Sequence, residues 1–394
     1  MPVFSHPFWS YGFRPFFFGA ALTAGLAIPL WLATLAGWLP TAFLYPGREW
    51  HVHEMLFGFF PAAMAGFLLT AVPNWTGRPA VHGPLLGALA ALWCAGRVAL
   101  FGAGAVPWFG AIVDAGFLIC FAAVLWRELA LGVAWGQVPV GWLVTAYALT
   151  NMWFHVQAVR SLPTDMAERA AVVLVLGLLA LIGGRLAPLF TREFIGRTRA
   201  GAPPVVRGFV EQSAFGSLGL AGAAWIAIPE SLITGLLCVA AAGIHAARLV
   251  GWRGWPTYRE PLVFILHVGY AWVVIGLALI GCAAAGWGIA PATAVHAVTA
   301  GAIGAMTFAI MTRATLGHTG RPKVVGATTV VMYLLVNVGA ALRLVAPTVD
   351  ATLLGNRLIA LTLAGLCWGG AYLLFACVYG VYLFQPSLEN DDDD

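Results

Sequence analysis

The residues most able to do chemistry in this sequence are histidines, because most of them lie within or at the edge of long apolar runs. The seven concerned are His51, His53, His155, His245, His267, His296 and His318. Ionisable side chains are costly inside a membrane and usually mark a functional site there. Imidazole is also a common ligand of haem iron and of copper. A lone histidine more often hydrogen-bonds a neighbouring helix, so a metal site is indicated only if several histidines come together.

The segment around His53 carries further groups that could take part in such a site. Glu54 directly follows it and is a candidate proton relay or a partner that orients an imidazole, although a carboxylate also suits the positive end of a helix. Arg48 precedes it and, like Arg97, could bind the propionates of a haem. His51 and His53 are two residues apart, about 200° around a regular helix. They can therefore serve one metal only if the helix begins after His51.

Two stretches of the chain share a histidine, a glycine and a Thr-Gly-Arg-Pro sequence at the same spacing. They are His53, Gly58 and Thr76–Pro79, and His296, Gly301 and Thr319–Pro322, and each matching pair is separated by 243 residues. Two histidines at equivalent positions on helices that run in the same direction could hold one haem iron axially from both sides. The rest of the two stretches match poorly, so coincidence is the alternative.

The elements that carry these residues are predicted to be membrane-spanning helices. The chain has 394 residues, of which 61% are hydrophobic and 9% charged, against roughly 25% charged in soluble domains. A helix needs about 20 apolar residues to cross a membrane, so the length predicts an all-α polytopic membrane protein with about 12 helices in a single transmembrane domain over residues 1–394. The predicted spans are 15–39, 52–73, 84–103, 107–127, 138–160, 168–190, 208–228, 230–250, 260–284, 290–313, 323–345 and 351–384.

Positive residues are concentrated in every second loop of this arrangement. The rich loops carry Arg78, Arg127, Arg192, Arg197, Arg199, Arg207, Arg253, Arg259, Arg321 and Lys323. Since such loops stay on the cytoplasmic side, both termini are predicted to be cytoplasmic. The outer layer then contains His51, His53, His155 and His296. Topology accounts for the positive charge, so nucleic-acid binding is not indicated.

Several motifs of the sequence resemble those of one known family. They are Phe13-Arg14-Pro15-Phe16-Phe17, Trp50-His51-Val52-His53-Glu54-Met55-Leu56-Phe57-Gly58-Phe59, Pro73–Pro79, Leu266-His267-Val268-Gly269-Tyr270, His296–Met306 and Leu316–Pro322. Together they extend from the first predicted helix to the eleventh. On these motifs the chain resembles the NnrS family of bacterial inner-membrane proteins.

The resemblance implies a protein that contains haem, expected to be b-type, and copper, and that is linked to denitrification and defence against nitric oxide. The family's histidine positions that are matched in this sequence are His51, His53, His155, His267, His296 and His318. From the residues themselves we expect haem binding by His53, His296, His267 and His318, with Arg48 nearby, and metal binding by His51, His53, His155 and His296. Which histidine holds which metal stays open. If His53 and His296 bind haem, His51 and His155 remain as a two-histidine copper site.

Three classes of function fit these residues. The first is an oxidoreductase that reduces nitric oxide with electrons from quinol or a periplasmic protein and with protons carried by Glu54. Its helix number would resemble subunit I of the haem–copper oxidases, although fold does not imply function. The second is a non-catalytic sensor or scavenger of nitric oxide, and the third is a metal or haem carrier. The enzyme is favoured because buried histidines beside a carboxylate suit redox chemistry.

Overall fold

The computed structural model describes residues 3–39, 43–102, 106–348 and 357–388, and within these ranges all regular secondary structure is helical. The first six long helices are α1 (Phe13–Leu35), α2 (Gly47–Thr76), α3 (Gly83–Phe101), α4 (Pro107–Leu131), α5 (Val138–Val159) and α6 (Asp165–Thr198). The next six are α7 (Gly208–Ala227), α8 (Leu232–Gly251), α9 (Pro261–Ala284), α10 (Pro291–His318), α11 (Ala327–Val345) and α12 (Arg357–Val378), followed by the short α13 (Gly380–Phe384).

The predicted all-α polytopic membrane architecture is confirmed. Among the described residues, 10 helices are long and apolar enough to cross a membrane. The other two long helices, α5 and α7, have 22 and 20 residues and occupy the predicted spans 138–160 and 208–228. Between α7 and α8 the chain turns at Pro229 and Glu230, as predicted, and the Ser231 side chain accepts a hydrogen bond from the Ile233 amide at the start of α8.

The chain divides into two compact units. The first contains residues 1–171, 310–323 and 372–394, and the second contains residues 172–309 and 324–371. In the first unit, the buried Arg14 at the start of α1 donates hydrogen bonds to the carbonyls of Leu383 (2.8 Å) and Gln385 (2.6 Å). This ties the start of α1 to the end of α13 and the residue that follows it. In the second unit, α8 and α9 pack along their lengths, with Gly235 and Gly281 at the close approach.

Helix lengths repeat along the chain in three sets of four, α1–α4, α5–α8 and α9–α12. The second helix is the longest of each set, with 30 residues in α2, 34 in α6 and 28 in α10. Helices α2 and α10 are also the two that carry the shared histidine and glycine pattern. Each contains a π-helical segment that begins at the residue after its histidine, at Glu54–Phe59 and at Ala297–Ile303. The correspondence seen in the sequence therefore extends to the backbone.

Side chains from neighbouring helices stabilise both π segments. A π turn displaces carbonyls from the regular i→i−4 ladder, so they need other partners when buried. Trp93 donates its indole N–H to the Gly58 carbonyl at 3.0 Å, and Tyr147 donates to the Leu56 carbonyl. In α10, Trp368 donates to the Ala300 carbonyl at 2.9 Å. Such segments occur often at functional sites, so the residues around them are candidate site residues.

Candidate metal centre

Three potential metal ligands meet inside the first unit, one from each of α2, α4 and α5. They are His53, Asp114 and His155, all of them buried, and their ligand atoms lie within 4.8 Å of one another. His53 Nε2 is 3.2 Å from Asp114 Oδ2, and His155 Nε2 is 2.9 Å from the same oxygen. The structure therefore groups His155 with His53 around a carboxylate.

The donor set and its spacing fit a transition metal. Metal–ligand bonds to imidazole nitrogen and carboxylate oxygen are about 2.0–2.2 Å long, so neighbouring ligand atoms on one ion lie roughly 3 Å apart. Imidazole suits copper, zinc and iron, and two histidines with one carboxylate hold zinc in some enzymes and non-haem iron in others. The same spacing also fits two imidazole N–H groups, with His155 Nε2 donating to Asp114 and His53 Nε2 donating to Asn151 Oδ1. A metal could thus replace two protons with little movement.

The charges around the cluster favour a cation. Arg97 lies between two buried carboxylates, donating to Glu54 Oε1 at 2.9 Å and also to Asp114 Oδ1. With neutral imidazoles, the two carboxylates and one guanidinium leave the centre with one net negative charge. An uncompensated charge is costly inside a protein. A bound metal ion or a protonated imidazole would balance it.

Two glycines make room for these charged side chains. A Cβ on Gly58, within the π segment of α2, would collide with the Arg97 guanidinium and lie 2.9 Å from Glu54 Oε2. A Cβ on Gly96 would lie 2.7 Å from Asp114 Oδ1. The shared glycine of the sequence pattern therefore has a defined role in α2, since it admits the ion pair beside His53.

Asn151 and Tyr45 complete the hydrogen bonding of the cluster. Asn151 lies one helical turn before His155 on α5, donates to Asp114 Oδ2 at 3.0 Å and has its Oδ1 3.1 Å from His53 Nε2. The Tyr45 hydroxyl is 2.6 Å from His155 Nδ1. Burial raises the pKa of Tyr45 above its ordinary value, so its hydroxyl stays protonated at neutral pH.

Sequence reasoning missed Asp114, Asn151 and Tyr45 as parts of this site. A signal existed for Asp114, because it is the one carboxylate inside the apolar run 107–127, and intramembrane carboxylates mark functional sites. Arg97 was expected near haem propionates, whereas it is engaged by two carboxylates of the chain itself. Asn151 and Tyr45 gave no comparable signal, since amides and tyrosines are ordinary in such segments.

His51 and Arg48, also predicted site residues, have other surroundings. The His51 ring stacks on Trp31, with ring centroids 5.1 Å apart, so the two histidines of α2 face different neighbours, as their spacing around the helix predicts. Arg48 is half-exposed and forms a bidentate ion pair with Glu168, both nitrogen–oxygen distances being 2.8 Å. Their predicted roles in copper and propionate binding stay predictions.

In the second unit, His296 is in a tautomer that can bind a metal through Nε2. Its Nδ1 lies 2.7 Å from the Ala292 carbonyl. Because a carbonyl only accepts hydrogen bonds, Nδ1 carries the proton and Nε2 keeps its lone pair. Ligating histidines usually have such an arrangement, with the second ring nitrogen bonded to a carbonyl or carboxylate. The predicted pairing of His296 with His53 on one haem stays a prediction, and it is the alternative to a metal site in which His53 acts with Asp114 and His155.

The other two predicted haem ligands, His267 and His318, have different surroundings. Thr191 donates to the Ala187 carbonyl and therefore accepts from His267 Nε2 at 2.7 Å, which leaves His267 Nδ1 with its lone pair. His318 is exposed at the end of α10, its ring lying 6.1 Å from Tyr11 and 5.8 Å from Phe13.

His245, which matches no motif, uses both ring nitrogens. Its Nδ1 is bonded to Tyr270 at 2.7 Å and its Nε2 to the Ala214 carbonyl at 3.1 Å. Because the carbonyl accepts from Nε2, Nδ1 accepts from the Tyr270 hydroxyl. In this arrangement no lone pair of the imidazole is left for a metal, and its omission from the predicted site stays a prediction.

Comparison with known proteins agrees with the motifs and the fold. No curated protein matches the chain. The family described as NnrS protein matches residues 7–387, which is nearly the whole sequence. On that match, together with its membrane-spanning helices, the chain belongs to the NnrS family.

Proposed function

We propose that this protein is a haem- and copper-containing membrane protein that acts on nitric oxide, with copper held by His53, Asp114 and His155. The observation that carries the proposal is the buried cluster of these three residues, whose ligand spacing and net negative charge suit a metal cation. Family membership supports the link to nitric oxide. Haem, expected to be b-type, is proposed to bind through His296, with His267 and His318 as further predicted ligands.

The site suits a small uncharged substrate. When bound, copper and haem would supply redox chemistry toward nitric oxide. The chain's own residues exclude water, since the three ligands are at most 3% exposed. Arg97 holds Asp114 and Glu54 in place, which fixes the carboxylate that faces both imidazoles.

Glu54 stays a predicted proton relay. Its Oε1 lies 3.7 Å from His53 Nδ1 and accepts from Arg97. The carboxylate is thus beside the centre, as reductive turnover would need. The electron donor is proposed to be quinol or a periplasmic protein, and the protein to reside in the bacterial inner membrane.

The decisive experiment measures nitric oxide loss at an electrode, per haem, with purified protein and an electron donor. Optical spectra and metal analysis first establish haem and copper content. An enzyme consumes nitric oxide over many cycles. Uptake that stops after one molecule per haem would leave a sensor or scavenger, and loss of metal in a chelator wash would indicate a carrier. In each of these last two cases the prediction that the protein is a nitric-oxide-reducing enzyme is wrong.

A further inference from the structure

Tyr45 lies in a short segment between α1 and α2 that is fixed against the cluster. Phe43 stacks on Trp50 with ring centroids 3.8 Å apart, and the Leu44 amide donates to the Leu100 carbonyl at 3.0 Å. Tyr45 itself is only 3% exposed. The two residues before Tyr45 are therefore anchored, and its hydroxyl is shielded from solvent.

The hydroxyl contacts the nitrogen of His155 that faces away from Asp114. Tyr45 Oη is 2.6 Å from Nδ1, while Nε2 is 2.9 Å from Asp114 Oδ2. A neutral imidazole carries its proton on one nitrogen only. Without a metal, Nε2 donates to Asp114 and Nδ1 accepts from Tyr45. Once a cation takes the Nε2 lone pair, the proton must lie on Nδ1, and Tyr45 must accept it.

We propose that Tyr45 is a positioning residue of the metal centre, which holds His155 in its ligating tautomer by reversing this hydrogen bond when a metal binds. The inference rests on the proposed copper site. A hydroxyl can do this because it both donates and accepts, and Phe at this position would keep the ring but lose both abilities. Such partners of ligating histidines typically change metal affinity by 10–100-fold.

Tyr147 provides a matched control within the same unit. It is fully buried, and its hydroxyl donates to the Leu56 carbonyl in the π segment. Its ring packs on Phe57 and Phe60. Replacing Tyr147 by Phe therefore removes a buried hydroxyl of similar structural cost without removing a partner of the proposed metal ligands.

The test compares wild type, Tyr45→Phe, Tyr147→Phe and His155→Ala as purified full-length proteins. Copper affinity is measured by titration against a competing chelator, and the Cu(II) form is examined by electron paramagnetic resonance. We expect Tyr45→Phe to bind copper at least about 10-fold more weakly and with altered hyperfine splitting, and Tyr147→Phe, whose hydroxyl contacts no proposed ligand, to change copper affinity much less and to keep the wild-type hyperfine splitting. Thermal unfolding reports whether each variant is folded.

The outcomes separate this inference from the proposed function. If His155→Ala loses copper but Tyr45→Phe binds it as wild type does, the role of Tyr45 is wrong and the metal centre stands. Equal weakening in Tyr45→Phe and Tyr147→Phe would also overturn it, because the effect would then be structural. If His155→Ala keeps full copper, the proposed metal centre fails and the inference with it.

Discussion

At the scale of single residues, the Asp114 carboxylate is what makes His53 and His155 a candidate metal site. His53 and His155 lie on different helices and share a hydrogen-bonded network through Asn151 and Asp114, and each would be an ordinary polar residue if it only bonded a neighbouring helix. Their shared carboxylate brings both Nε2 atoms toward one point and adds negative charge there. A metal site of this composition depends on that charge as much as on the imidazoles.

Replacing Asp114 by Asn tests this dependence. Asn keeps the shape of the side chain but removes the charge, so the centre would no longer favour a cation. We expect copper per protein, measured by elemental analysis, to fall by about 10-fold or more, in line with other losses around metal ligands. Asp165→Asn, which alters an exposed carboxylate 3.7 Å from Arg48, serves as the control. Full copper in Asp114→Asn would show that the carboxylate is not a ligand.

Haem ligation by His296 gives a second prediction about a single residue. The Nε2 lone pair of His296 is available because Nδ1 donates to a carbonyl, so His296→Ala is expected to abolish or severely reduce one haem signal in the optical spectrum. His82 is exposed before α3, and His82→Ala should leave the spectrum unchanged. An intact spectrum in His296→Ala would move the ligand to another histidine, with His267 the next candidate because its Nδ1 keeps a lone pair.

At the scale of elements, the sequence predicted the helices well and the π segments not at all. Apolar runs and their Pro- or Gly-containing breaks are local features, so each of the predicted spans has a helix in the structure. The π segments depend on partners distant in the chain, such as Trp93 and Tyr147, which no local pattern reveals. Asp114 did have a local signal, as the one carboxylate of its apolar run, but its grouping with His53 and His155 depends on three helices that are distant in the chain.

The close packing of the α2 π segment gives an element-scale prediction. Gly58→Ala would place a methyl group against the Arg97 guanidinium and Glu54. We expect it to destabilise the protein by about 1–3 kcal/mol, as overpacking commonly does, and to lower copper content because the ion pair that fixes Asp114 must move. Thermal unfolding in detergent and metal analysis measure the two effects.

Gly216 in α7 supplies the comparison for that variant. A Cβ there meets no atom within 4 Å, and alanine suits a helix better than glycine by up to about 1 kcal/mol. Gly216→Ala should therefore be neutral or slightly stabilising with copper unchanged. If Gly58→Ala behaves in the same way, the space around Arg97 is larger than the structure indicates, and the argument that Gly58 admits the ion pair is wrong.

At the scale of the whole molecule, ion pairs within the units agree with the topology predicted from positive charge. Arg78 after α2 pairs with Glu128 at the end of α4 at 2.7 Å, and both ends are predicted to be cytoplasmic. Arg48 at the start of α2 pairs with Glu168 at the start of α6, and both starts are predicted to be outside. In both ion pairs, the two helix ends that meet are ends that the predicted topology puts on the same side of the membrane. Which side is cytoplasmic is predicted from the arginine bias alone.

Reporter fusions test that orientation. Arginine-rich loops follow the even-numbered helices, so the positive-inside rule predicts a cytoplasmic C-terminus and an outer loop between α5 and α6. Alkaline phosphatase fused at the C-terminus should be inactive and a fluorescent protein there should fluoresce, whereas phosphatase fused after Leu162 should be active. The paired sites exclude poor expression as the cause of an inactive fusion.

An active C-terminal phosphatase would reverse the orientation and place His53, His155 and His296 toward the cytoplasm. A periplasmic electron donor would then be unable to reach the centre from its own side, and the proposed donor would have to be quinol or a cytoplasmic protein.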